Sequence, residues 1–135
     1  MSKREKLYKL VAKYKKKLKL TDIAINIVIA EDKVQQFRKR GRKRKAVSDC
    51  YAEVIEESID GKEFTIFIFK SAFEEDLEDT VIHELSHILL HPMRNAAENL
   101  ITNMDISDKK KKKLFDKFDD QEHKVVNNII KMVRK

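Results

Sequence analysis

At 135 residues the chain has room for one hydrophobic core and little more. Its 41% hydrophobic content excludes a disordered polyelectrolyte, and the 39% charged residues with a net charge of +7 fit either a well-solvated surface, favoured because 23 acids are mixed among the bases, or an affinity for polyanions. A single cysteine, Cys50, excludes an intramolecular disulfide and a multi-cysteine zinc site, and no apolar run is long enough for a membrane span or a secretory signal, so a soluble cytoplasmic protein with no membrane partner is expected.

Residues 3–19 place Leu7, Val11, Tyr14 and Leu18 at helical intervals among lysines, which predicts an amphipathic helix. The β-branched run "IAINIVIA" after Asp22 predicts a strand. Between Lys33 and Lys45 eight basic residues surround Gly41, the composition of a basic loop. "CYAEVIEES" alternates as a second strand, Asp60-Gly61 supplies a hairpin turn, and "EFTIFIFK" is a third strand. Ser71 with Glu74 has capping-box spacing, so a helix is expected from there, stopped by Pro92, with "RNAAENLI" as a short separate helical piece. Ser107 or Asp108 then caps a last helix running to about residue 134. The expected fold is α+β: a small three-stranded sheet, antiparallel or mixed, packed on a central helix, with N-terminal and C-terminal helices in one domain.

The central helix carries "TVIHELSHILLHP". His83 and His87 are four residues apart, so both imidazoles leave one helix face at neighbouring heights, the spacing needed to grip one zinc ion. Glu84 follows the first histidine, about 100° around the helix, where a carboxylate can take a proton from water. This is the H-E-x-x-H arrangement of metallopeptidases, and it implies one Zn²⁺ per chain and a protein or peptide substrate.

A catalytic zinc needs a third protein ligand. His91 is eight residues from His83, about 12 Å along an unbroken helix, which is too far unless the helix breaks at Pro92. Glu98 could fold back through a turn at Pro92, and Asp119 is a further carboxylate in reach. Glu122 is favoured, because it projects into the apolar stripe of Phe115, Phe118, Val125, Val126, Ile129 and Val133, where an unpaired carboxylate is costly and a metal would be its partner. His123, beside it, is assigned to oxyanion stabilisation or to the rim of the site, with Tyr51 as another possible donor. The strand "EFTIFIFK" offers an edge on which an extended substrate could pair.

With "VIHELSHILLHP" after a strand hairpin and "EHKVVNNII" on a later helix, the chain resembles the ImmA/IrrE-type zinc metallopeptidases of bacteria, phages and mobile elements. His83, Glu84, Leu85, His87, Leu90 and His91 match the family's motif, and Glu122, Val125 or Val126, and Asn127 match its downstream helix. The resemblance implies a zincin-like domain with His83, His87 and Glu122 as zinc ligands and Glu84 as general base. It also suggests a transcriptional regulator as substrate. Ser86 stands where the family has glycine or alanine, the stretch from His87 to Glu122 is longer than usual, and no helix-turn-helix is attached. The competing reading is a nucleic-acid-binding module with a structural or inactive zinc, whose phosphate contacts would come from the basic segment 38–45 and from "DKKKKKLF".

Overall fold

The computed structural model describes residues 2–30 and 51–134. The basic segment 33–45 and Cys50 lie outside the described residues. Helix α1 spans Lys3–Lys17, capped by Ser2, whose hydroxyl accepts from the Glu5 amide at 3.1 Å. Its apolar positions Leu7, Val11 and Tyr14 face the core as their spacing requires.

Three strands follow: β1 (Ala24–Ala30), β2 (Ala52–Glu56) and β3 (Glu63–Phe69), in the sheet order β1-β3-β2. β1 runs parallel to β3 and β2 antiparallel to it, so the sheet is mixed. The β2–β3 hairpin closes at Gly61, whose φ of 71° is readily adopted only by glycine, with Asp60 accepting from the Lys62 amide and Ser58 from that of Glu63. β3 is the central strand and is buried along nearly its whole length. Both of its edges are therefore occupied, which corrects the expectation that "EFTIFIFK" offers a free edge to substrate; among the described residues the outer strands are β1 and β2.

Phe64, Ile66 and Ile68 face the helices, while Phe67 and Phe69 join Ala30 and Ile55 on the other face. On the helical side, α2 (Leu77–Thr102) lays Val81, Ile82, Leu85 and Ile88 over the sheet. α3 (Asp108–Val133), capped by Ser107, packs along α2. The architecture is thus the α+β layout expected from the sequence.

The start of α2 departs from expectation. Lys70–Glu74 forms a 3₁₀ turn that buries Ala72, Glu75 is extended, and Asp76 rather than Ser71 caps the helix by accepting from the Asp79 amide. The end departs too: Pro92 lies inside α2, which absorbs "RNAAENLI" and continues to Thr102. An internal proline removes one helical hydrogen bond and costs about 3 kcal/mol. Anchors on either side offset this. His91 Nε2 meets Glu56 Oε2 of β2 at 2.7 Å, and Arg94 is tied to α3. Among the described residues no helix is long and apolar enough to cross a membrane.

A polar clasp joins the three helices. Tyr14 donates to Glu78 Oε2 at 2.6 Å, and Arg134, just past α3, reaches Asp76, Glu78 and Asp79 at the start of α2. Burial first, then the hydrogen bond and charge of Glu78, pushes the Tyr14 phenol up from 10.0 to about 12. A folded value above the unfolded one means that this contribution is complete below pH 10 and is lost as pH rises toward 12. Tyr14→Phe should cost about 1–3 kcal/mol at neutral pH. Urea titrations at stepped pH should also show that the variant lacks this alkaline loss of stability.

Candidate metal centre

The histidine cluster is built by two facing helices. His83 and His87, one turn apart on α2, have ring centroids 4.7 Å apart and Nε2 atoms 3.0 Å apart. His123 comes from α3, its ring 5.8 Å from that of His83 and 5.7 Å from that of His87. One ligand nitrogen from each of the three can be chosen so that all lie within 4.8 Å of one another.

The nitrogens have defined roles. Burial would raise the Glu122 pKa, but hydrogen bonds from His87 and Arg94 outweigh it and hold the carboxyl below its ordinary value. As an anion it accepts, so His87 Nδ1–H donates to Glu122 Oε1 at 2.6 Å, which leaves the His87 Nε2 lone pair toward His83 in the neutral ring. His123 Nδ1–H donates to the Asp119 carbonyl at 2.8 Å, again leaving Nε2 as the basic nitrogen. His83 is pushed down to about 4, by burial first and then by the neighbouring His87 and His123, so it is neutral at pH 7.

This donor set fits a borderline divalent cation such as zinc. Two imidazole nitrogens 3.0 Å apart are held either by one shared proton or by a common cation, and ligands on a tetrahedral zinc stand about 3.3 Å apart. The three ligand atoms lie within 4.8 Å of one another, so closing to the spacing on zinc needs a shift of at most about 1.5 Å.

The other residues considered from the sequence fall into clear places. Glu84, 8% exposed, lines a cleft of about 410 Å³ together with His83. Tyr51 just before β2 and Ala52 at its start, Asp79 and Thr80 on α2, and Asn127 on α3 are also among its walls. His91 is engaged by Glu56 and by the edge of the Phe64 ring, away from the other histidines. Glu98, Asp119 and Glu122 all converge on Arg94, at 2.9, 2.8 and 2.6 Å. The sequence reading asked a metal to balance the buried Glu122; in the structure Arg94 and His87 do so. Val125, placed in the buried stripe from sequence, is 45% exposed, because Glu122 and Val126 take the inward positions.

Arg94 is the residue that sequence reasoning missed. Its signal was its position seven residues past His87, hence on the same face of α2, in a helix with no other lysine or arginine.

Comparison with protein-family models, with curated proteins and with solved structures returned no match.

Because the folded His83 pKa lies below the unfolded value, the unfolded state takes up protons first as pH falls. The contribution of His83 is complete above about pH 6.5 and drains away toward pH 4. NMR of the metal-free protein should find the His83 ring neutral at pH 5. His83→Phe should flatten the acid limb of the stability curve across that window.

Proposed function

We propose that the chain is a metal-dependent peptidase, with zinc as the ion, that hydrolyses peptide bonds of an intracellular protein. One observation carries the reading: three imidazoles from two helices converge, and one of them, His83, lines a cleft together with the buried Glu84. The H-E-x-x-H spacing and the resemblance to ImmA/IrrE-type peptidases point the same way, and the resemblance suggests a regulator of a phage or mobile element as substrate. A reducing, cytoplasmic setting suits a chain with one cysteine.

In this reading His83, His87 and His123 hold the ion, and Glu122 orients His87 from behind, as carboxylates do behind metal-bound histidines. This moves His123 from oxyanion donor to ligand, and Glu122 from ligand to support. Bound there, a zinc ion would supply Lewis acidity toward a water and a substrate carbonyl. Glu84 accepts the proton of the attacking water and passes it to the leaving amine. Tyr51, in the cleft wall, offers a phenol to the developing oxyanion. Ala52, the first residue of β2, lines the cleft with His83 and Glu84, so an extended peptide bound there would lie beside that strand.

Purified without a histidine tag, the protein should carry about one zinc per chain by metal analysis. Glu84→Gln should keep the ion and lower cleavage of a cognate peptide by a factor of at least about 10². His123→Ala should abolish stoichiometric zinc, whereas Glu122→Gln should keep one zinc bound more weakly, by about 10–100-fold. Loss of zinc in Glu122→Gln but not in His123→Ala would restore Glu122 as the ligand. Undiminished function in Glu84→Gln, together with its loss on neutralising residues 38–45, would favour a nucleic-acid-binding role.

A further inference from the structure

Arg94 gathers three carboxylates beside the histidine cluster. Its Nη1 donates to Glu122 Oε2 at 2.6 Å, Nη2 stands 2.8 Å from Asp119 Oδ1, and Nε donates to Glu98 Oε1 at 2.9 Å. Its guanidinium also lies over the Phe118 ring, 5.7 Å from the centroid. Three carboxylates from two helices thus fix one planar cation in both position and tilt.

The consequence passes through Glu122. With Oε2 taken by Arg94, the carboxylate cannot rotate freely about its last bond, and Oε1 is presented to His87 Nδ1 at 2.6 Å. A carboxylate on Nδ1 selects the tautomer that bears its proton there, leaving the Nε2 lone pair on the side of His83 and His123. Asp119 reinforces the arrangement from the neighbouring turn: its side chain takes Arg94 while its carbonyl accepts from His123 Nδ1. One guanidinium therefore stands behind two of the three imidazoles, through Glu122 for His87 and through Asp119 for His123.

We propose that Arg94 is a positioning residue that sets the tautomer and orientation of His87 through Glu122, and so prepares the histidine cluster to bind a cation. The cation-binding part rests on the reading of the cluster as a metal site; the tautomer part does not. Arg94 touches neither ion nor substrate and acts only through the carboxylates it holds.

The test uses the full chain with Arg94→Met, Arg94→Lys and Glu122→Gln, alone and combined, each checked for folding by circular dichroism. Two readouts are taken: the His87 ring tautomer by ¹⁵N NMR of the metal-free protein, and zinc affinity by chelator competition. Arg94→Met is expected to turn the single Nδ1–H form of His87 into a mixture and to weaken zinc binding about 10–100-fold. Arg94→Lys, which keeps the charge but lacks the fork, should recover part of both effects. In the Glu122→Gln background Arg94→Met should not change the His87 tautomer further, because its route to that ring has gone, and should weaken zinc binding less than it does alone, since only the Asp119 route to His123 remains. A folded Arg94→Met protein with the wild-type tautomer overturns the proposal, as does an Arg94→Met effect that persists undiminished beside Glu122→Gln. If Arg94→Met does not fold, the same criteria apply to Arg94→Lys. Failure of the wild-type protein to bind zinc would sink the metal reading, while the tautomer measurement would still decide the role of Arg94.

Discussion

The carboxylate of Glu122, 5% exposed, is the constraint on which the helical half of the molecule turns. An ionised carboxylate taken out of water costs several kcal/mol unless its lone pairs are met. Here both partners come from α2, His87 and Arg94, seven residues and so about 10.5 Å apart along one helix face. A group bonded at both ends of that interval fixes α3 against α2 in height and in rotation at once. Rotation matters most, because His123 is the next residue, and 100° of turn from a fixed Glu122 carries it to the other two histidines.

α2 meets this demand while packing on the sheet, and its composition follows from serving two neighbours. Ile82, Leu85 and Ile88 face the sheet side, where Ser86 is also fully buried and returns its hydroxyl to the Ile82 carbonyl at 2.7 Å. His83, His87 and Arg94 face α3. His91 takes the remaining direction and binds Glu56 of β2. The helix thus looks apolar nearly all round in sequence, yet its polar residues are sorted by partner. Among the described residues no buried side-chain nitrogen or oxygen lacks a hydrogen bond.

Much of this was legible from the sequence because it rests on local patterns. The period of α1, the β-branched runs of β1 and β3, the Asp60-Gly61 turn and the Ser107 cap are short-range signals, and each lies where it was expected. The one-turn spacing of His83 and His87 is equally local. What failed depended on tertiary context. Pro92 is a stop signal by propensity, but anchors on both sides of it hold the helix together. Val125 and Glu122 looked alike on a helical wheel, and only the presence of Arg94 opposite made the charged one the buried one. The β1-β3-β2 order was also out of reach, since alternation within a strand does not say which neighbour it takes.

The Arg94 network also bears on why such an arrangement would exist at all. Gathering three carboxylates on one cation is a poor way to gain stability: partly buried ion pairs recover little more than their desolvation cost, and an apolar substitution of similar volume often does as well. Glu98 and Asp119 remain substantially exposed, so their pairs contribute little, while Glu122 and its partners could together be replaced by aliphatic residues of similar volume. What an aliphatic residue could not do is hold an imidazole in one tautomer and one orientation. The network is therefore better explained by the histidine it aims than by the helices it joins. The Tyr14–Glu78–Arg134 clasp on the same helix differs in kind: it contains no imidazole and joins α1, α2 and the end of α3.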